Sequence, residues 1–464
     1  MTSESAIIFG TGVSGKSAAK LLLRHGVRVS VSCPGDVSGL GSLRAAGAEI
    51  IGGDAVSAAK LFASRGNAGA VAYLSPGIPT SAPEAEVCRR AGIRITGELE
   101  TGAAFLTGRI IAVTGSKGKS SVVKFIADAL SMSGTRALPC GNYGIALNEI
   151  AGMEYQPDVA VVECSSFQLE TLGSGFKPEV ALVLNLSEDH LDRHGDMSKY
   201  RDIKLDIFKN MNSRGLELLP APPDDPYGLF ERHRELHGRD AVSFGRSADA
   251  EWRWRGGVVV NEKKGFRANV PVGYFSNEIL GPAAAAACAV LDASGLSASA
   301  IEQAFMSFEP LPHRMQYVEI VNGVKCVDDS KATSIAALLA GVRMSAPPVY
   351  LIAGGRLKEN ISLDGKELVT SGVKKVYLIG ECMDAMEAAW GQSLPMERCV
   401  TLAEAVSSAF RDAQVGGTIL LSPGTASFDQ YNDYKQRGEE FARLVGMQKK
   451  NAVDTAANKT ETEH

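Results

Sequence analysis

The 464-residue chain has no C-x-x-C pair among its eight cysteines, no long apolar run and no excess of basic charge. Each absence removes a class of function. Scattered cysteines fit free thiols in a reducing cytosol. The longest apolar stretch, Ile279 to Leu291, is too short and too alanine-rich to span a bilayer. No basic segment precedes an apolar one at the start, so no signal peptide is expected, and a cytoplasmic chain is. A net charge of −5 gives no reason to expect nucleic acid or a membrane surface as partner. No sequence repeat is visible. The tail from Gln448 to His464 is polar and aperiodic, which predicts disorder.

What is present begins with length, enough for roughly three domains with cores of their own. The most informative stretch is Arg109-Ile-Ile-Ala-Val-Thr-Gly115-Ser116-Lys117-Gly118-Lys119-Ser120-Ser121 and the amphipathic run after it. A strand, a Gly-rich turn, a Lys-Ser pair and a helix, in that order, make a phosphate cradle. Glycines let backbone N–H groups converge on phosphate oxygens, the helix N-terminus adds positive potential, and Lys119 adds a charge. Ser120, directly after that lysine, is where such loops hold Mg²⁺. Position 113 is Val113, so the first glycine of a full Walker A pattern is missing. Two lysines in the turn still favour a nucleoside triphosphate over a structural turn.

The first βαβ unit, strand Ala6–Phe9, turn Gly10-Thr-Gly12-Val13-Ser14-Gly15, helix Lys16–Arg24 and strand Val27–Val31, carries a G-x-G-x-x-G turn. The second strand ends at Ser32-Cys33, with no carboxylate for a ribose, which argues against NAD and for another nucleotide. Ser75-Pro76-Gly77 follows a strand over Ala70–Leu74, where open α/β sheets place ligands. Further strands end at Glu163 and Asn185, and later ones at Gly354, Gly380 and Ser422. Strands alternating with helices predict an α/β protein with mainly parallel sheets. Glu163 ends an apolar strand at the same sheet edge as the phosphate loop, suited to Mg²⁺. His190, in Glu188-Asp-His190-Leu-Asp-Arg193, reads as a metal ligand, a phosphate-orienting group or a structural histidine. Lys204 by itself reads as a surface helix residue.

Taken in order, Gly115–Ser121, Glu163-Cys-Ser-Ser-Phe-Gln-Leu-Glu170, Glu188–Arg193, Tyr200-Arg-Asp-Ile-Lys204, Leu311-Pro-His-Arg314 and Asp329-Ser-Lys-Ala-Thr333 resemble the motif series of the Mur ligases. Two segments, Ser165–Glu170 and Ser422-Pro-Gly-Thr-Ala-Ser427 through Tyr434 to Gly438, look like the D-glutamate-adding branch. The resemblance implies a Rossmann-like UDP-binding domain over 1–98, a central P-loop-type ATP-binding domain over 99–309 and a Rossmann-like amino-acid-binding domain over 310–447. It implies an ATP-dependent ligase that joins D-glutamate to UDP-MurNAc-L-Ala through an acyl phosphate in peptidoglycan precursor synthesis. Val13, Ser14, Ser75, Pro76, Gly77 and Asn142 would contact the UDP substrate. Gly115, Ser116, Lys117, Gly118, Lys119, Ser120, Ser121, Arg314 and Asp329 would hold ATP. Ser120, Glu163, His190 and a carbamylated Lys204 would hold two Mg²⁺ ions, with Lys119, Glu163, His190 and Lys204 as the catalytic set. Thr333, Lys358, Ser427 and Tyr434 would receive D-glutamate. A monomer fits the implied closure of the last domain over ATP.

Departures from the family pattern are equally readable. The His-Asn-x-x-Asn segment that contacts the nucleotide in the family is replaced by Ser276-Asn277-Glu278-Ile279-Leu280-Gly281, leaving Asn277 as the nearby substitute. An Asn-x-Asp-Asp segment gives way to Leu218-Leu-Pro-Ala-Pro-Pro-Asp224-Asp225, and the usual loop asparagine is Lys117. A uracil-side Asp after the second strand is absent. These changes leave two alternatives open: a Mur-type ligase for another amino acid, or a silent UDP-sugar- or nucleotide-binding homologue.

Overall fold

The computed structural model describes residues 4–66, 69–358 and 360–461, with side chains through residue 450. Three sheets succeed one another along the chain. The first contains β1 (Ser5–Phe9), β2 (Arg28–Cys33), β3 (Glu49–Gly52), β4 (Val71–Leu74) and β5 (Arg94–Thr96), in the order β3-β2-β1-β4-β5 and wholly parallel. The second contains β6 (Arg109–Thr114), β7 (Ala137–Gly141), β8 (Val159–Glu163), β9 (Val180–Val183), β10 (Leu216–Pro220), β11 (Val242–Gly245), β12 (Trp252–Arg255), β13 (Val258–Asn261) and β14 (Phe266–Asn269). Its order is β14-β13-β12-β11-β10-β9-β6-β8-β7, parallel except for the last hairpins, β12–β13 and β13–β14. The third contains β15 (Gln316–Val321), β16 (Val324–Asp328), β17 (Val349–Gly354), β18 (Val373–Ile379), β19 (Met396–Val400) and β20 (Thr418–Leu421), with β15 antiparallel at the edge.

Strand composition explains these layers. Ile111, Val113, Val161 and Leu182 point into one apolar cluster of the second sheet, and Ala112, Val162, Ala181 and Val183 into the other. A central strand buried on both faces has no polar alternation to keep, so it reads as a continuous apolar run. The third sheet repeats the pattern, with Leu351 on one side and Ile352 on the other.

The chain divides into two compact units, before and after Phe308–Glu309. The first two sheets therefore share one unit, and the position expected to separate them, residue 98, is a joint. Buried Glu98 accepts hydrogen bonds from Ser14 Oγ (2.7 Å) and from Leu147 N (3.1 Å), and Arg24 donates to the Gly152 carbonyl (2.6 Å).

The closing helix, Tyr434–Glu461, continues through the segment whose composition reads as disordered, as far as Glu461. Alanine and lysine propagate a helix at little cost once tertiary packing has nucleated it, and Phe441 and Val445 are fully buried. Residues 462–464 of that tail lie outside the described residues. Among the described residues no helix is long and apolar enough to cross a membrane, and all eight cysteines are buried free thiols.

Candidate active site

The phosphate loop leaves the C-terminal end of β6 with a neighbour on each side. Val113 pairs with Glu163 on β8, and Thr114 pairs with Val183 on β9. Parallel register thus brings Glu163 and Asn185 to the two flanks of one loop. Asn185 fixes that loop: its Oδ1 accepts from Lys117 N (2.9 Å) and its Nδ2 donates to the Lys117 carbonyl (3.0 Å). Ser116 Oγ donates to the Ser187 carbonyl (3.0 Å) and lies 3.2 Å from Tyr200 Oη. Gly118 turns the chain at φ +83° into the helix Lys119–Met132, a left-handed conformation that glycine adopts without strain.

Two lysines meet on one carbonyl. Lys119 Nζ donates to Gly115 O (2.8 Å) and Ser116 O (3.0 Å), and Lys204 Nζ donates to Gly115 O (3.0 Å) and Thr114 Oγ1 (3.2 Å). Lys204 is therefore no surface residue. It is 1% exposed, on the inner face of the helix Met197–Leu205. Burial, and then the neighbouring Lys119 charge, hold its ammonium well below the usual lysine range.

Glu163 is 2% exposed. Its Oε1 accepts from Asn142 Nδ2 (2.6 Å), while Oε2 is buried with no hydrogen-bond partner. An unmet carboxylate oxygen in the interior is costly unless a cation completes it. Asn142, expected on the UDP substrate, is thus tied to Glu163 by its side chain and also by its backbone N–H to Glu163 O (3.0 Å).

His190 stands at φ +55° with its ring against Phe167 (centroids 4.9 Å apart) and 3.7 Å from Asp189 Oδ1. Asp189 also faces Lys117 Nζ at 3.6 Å. Among the described residues no three His, Cys, Asp or Glu side chains converge on a metal-sized point. A cation beside Glu163 needs ligands of another kind, such as hydroxyl groups, phosphate oxygens or a carbamate on Lys204.

In the first sheet Ser14 is anchored through Glu98, its carbonyl accepts from Tyr73 Oη (3.1 Å), and Ser75 N donates to Phe9 O (3.0 Å). Val13 is exposed, and Pro76 and Gly77 sit on the same post-strand loop as Ser75.

The second unit brings Thr333 and Lys358 together, with Lys358 Nζ 3.4 Å from Thr333 Oγ1. Ser427 is buried, and its carbonyl accepts from the N–H groups of Gln430 and Tyr431. Lys331 Nζ lies 3.8 Å from the centre of the Tyr434 ring. Asp329 accepts from Ser422 Oγ (2.9 Å) and Met315 N (3.2 Å), and burial pushes its carboxyl up to about 7. Arg314, two residues along from the Pro312 turn, acts on Asp329 as a charge.

The nearby substitute Asn277, and the two aspartates of the segment that departs from the family pattern, are spent on backbone. Asn277 caps its own turn, accepting from Ile279 N and Leu280 N (3.0 Å each) while donating to Tyr274 O (2.8 Å). Asp224 accepts from Arg246 N and Ser247 N (2.9 Å each), and Asp225 from Tyr227 N (3.0 Å) and Leu229 N. Sequence reasoning gave no role to Tyr200, Asp189 or Glu98. Polarity next to a motif was the only available signal, and burial gives them their weight.

The Mur ligase middle-domain family matches residues 113–280. The UDP-N-acetylmuramoylalanine–D-glutamate ligase of Desulfotalea psychrophila is 34% identical, covering 94% of this chain and 95% of its own. The enzyme of the same name from Nitratidesulfovibrio vulgaris is also 34% identical, covering 95% and 96%. The MurF ligase of Thermotoga maritima, solved with ADP, shares the fold at a TM-score of 0.58 with 15% identity, over 97% of this chain and 95% of that one. This chain belongs to the UDP-N-acetylmuramoylalanine–D-glutamate ligase family of the Mur ligases.

Proposed function

We propose that this chain joins D-glutamate to UDP-N-acetylmuramoyl-L-alanine at the expense of ATP. The observation that carries the reading is the group around Gly115: a half-buried lysine, a fully buried lysine and a carboxylate with one unmet oxygen, all at one phosphate-loop edge. The carboxylate of the UDP-sugar substrate attacks the γ-phosphorus, the bond to ADP breaks, and an acyl phosphate forms. The amine of D-glutamate then attacks the acyl carbon, phosphate leaves, and the amine gives up a proton as the amide forms. Lys119 and the N–H groups of the Gly115–Ser121 loop neutralise phosphate charge as it moves, and positioning does most of the rest.

The donor set fits Mg²⁺. Ser120 and the open Oε2 of Glu163 would hold one ion, with His190 and a carbamate on Lys204 near a second, and bound Mg²⁺ would supply charge neutralisation to the phosphate oxygens. Lys204 suits carbamylation, since its burial favours the uncharged amine, the form that reacts: the nitrogen bonds the CO₂ carbon, one N–H proton leaves, and a carboxylate stands where the amine was.

We assign Arg314 and Asp329 to ATP, Thr333, Lys358, Ser427 and Tyr434 to D-glutamate, and Val13, Ser14, Ser75, Pro76, Gly77 and Asn142 to the UDP substrate. Functional division follows the sheets, as 1–98, 99–309 and 310–447. A cytoplasmic monomer is the accompanying expectation.

The test is ADP and phosphate release with UDP-MurNAc-L-Ala and Mg²⁺, with and without D-glutamate, repeated with Lys119→Ala. Release that requires D-glutamate and disappears in the variant supports the reading. Release with another amino acid alone would replace the substrate. Silence with every amino acid, with intact UDP-sugar binding, would favour a binding protein.

A further inference from the structure

Arg437 is a guanidinium 1% exposed to solvent, in the first turn of the helix Tyr434–Glu461. Its hydrogen bonds go to backbone carbonyls and one hydroxyl. Nε donates to Ser330 Oγ (3.0 Å). One terminal nitrogen donates to Ser330 O (3.0 Å) and Thr425 O (3.2 Å), and the other lies 3.5 Å from both Gly354 O and Ala426 O. Asp429, Tyr431 and Asp328 act on it only through space. Burial pulls its pKa down to about 10, so it keeps its proton at neutral pH.

Burying a charge on carbonyl dipoles is an expensive way to hold a fold, since an apolar side chain of that volume would fill the same space. The segments it joins explain the choice. Ser330 lies three positions before Thr333, Gly354 four before Lys358, Ala426 directly before Ser427, and Tyr434 three before Arg437 itself. Every side chain assigned to the amino-acid substrate is within one short stretch of backbone from an atom this guanidinium touches or from its own Cα. The packing around it is tight: a Cβ at Gly355 would lie 2.3 Å from Ala426 O and 3.2 Å from a terminal nitrogen of Arg437.

We propose that Arg437 is the positioning residue of the amino-acid pocket, clamping the three loops that carry Thr333, Lys358 and Ser427 to the helix that carries Tyr434. A planar fork with donors in fixed directions can reach three separate loops at once, whereas a lysine presents its donors from a single point. The inference rests on the D-glutamate reading above.

The test is steady-state kinetics of Arg437→Lys, varying D-glutamate, ATP and UDP-MurNAc-L-Ala in turn, with thermal unfolding measured alongside. The expected result is a KM for D-glutamate raised about tenfold or more, with the KM values for ATP and the UDP-sugar moving less than about twofold. Ser330→Ala, which removes the hydroxyl that accepts from Nε and donates to the Tyr434 carbonyl (2.8 Å), should give the same split at smaller size. It keeps the proposal testable if the lysine variant fails to fold. Three KM values moving together, a lowered unfolding midpoint with unchanged kinetics, or an unchanged KM for D-glutamate would each overturn it. A wild-type chain that uses another amino acid but not D-glutamate overturns the proposed function instead, and is told apart because it appears before any substitution.

Discussion

Two glycine turns follow two first strands in this molecule, and they do different work. In the turn Gly10–Gly15 the last glycine answers to packing: a Cβ at Gly15 would lie 1.9 Å from the Gly10 carbonyl oxygen. In the turn Gly115–Gly118 the glycine before the helix answers to backbone geometry, with φ +83° and no atom nearer than Leu184 Cδ1 at 3.9 Å where a Cβ would be. Around the first turn the neighbours are a hydroxyl, a carboxylate that accepts from it, and a tyrosine that donates to its backbone. Around the second they are two lysines on one carbonyl and a carboxylate oxygen with nothing to accept from. A Gly-rich turn at a helix start supplies an anion cradle in both places. Which cradle does chemistry is decided by the charge left unbalanced beside it. The satisfied turn can only bind, while the unsatisfied one is poised for a polyphosphate and a cation.

Removing the charge from the second turn is the largest break in that contrast. Lys119→Ala should lower turnover on the order of 10³-fold, read as ADP release, with little change in UDP-sugar binding at the first turn. Glu163→Gln keeps the volume and removes the charge. It should cost roughly 10²-fold in kcat and raise the Mg²⁺ concentration needed for half activity, and an unchanged Mg²⁺ dependence would refute the metal assignment.

For Lys204, substitution by Ala should abolish most activity, and added short carboxylates should restore part of it if a carbamate is the working group. Rescue by amines instead would assign the role to the ammonium. The same residue carries a pH signature. Its folded-state pKa lies below the unfolded value of 10.5, so the unfolded chain binds the extra proton, and stability contributed here is full above 10.5 and lost as pH falls. Lys204→Met should flatten that dependence in denaturant unfolding at low CO₂.

Asp329 predicts the opposite slope in the second unit. Its folded pKa of about 7 lies above the ordinary 3.8, so its contribution is full below 3.8 and lost as pH rises through about 7. Unfolding midpoints measured across that window should fall with rising pH, and Asp329→Asn should weaken the fall. The smallest effect is expected at Asn277. Because it caps a turn, Asn277→Ala should cost about 1 kcal/mol of stability and leave the KM for ATP within about twofold. A large rise in that KM would show that Asn277 serves the nucleotide after all.

Much of this arrangement is legible in the sequence. Strands Val159–Glu163 and Val349–Gly354 appear within a residue of where their apolar runs place them, because a strand buried on both faces has few ways to hide its side chains. The phosphate loop is legible because its glycines and lysines are contiguous. Arg437 is not, since its partners at Ser330, Gly354, Thr425 and Ala426 are distant in the chain and offer carbonyls, which every residue has. The hairpins β12–β14 escape for a similar reason: short strands at a sheet edge leave weak periodicity. The closing helix outruns its composition because packing at Phe441 and Val445 starts what propensity then extends.

By itself, then, the sequence determined the alternation of buried parallel strands with helices, the phosphate loop and the family, all of which rest on local or contiguous patterns. Only the tertiary structure decided that Lys204 is buried against Gly115, that Glu163 keeps one oxygen open, that Asn277, Asp224 and Asp225 are spent on backbone, and that one buried arginine bonds to three separate loops. Those outcomes depend on which groups the fold removes from water, and burial is a property of the whole packed chain rather than of any segment.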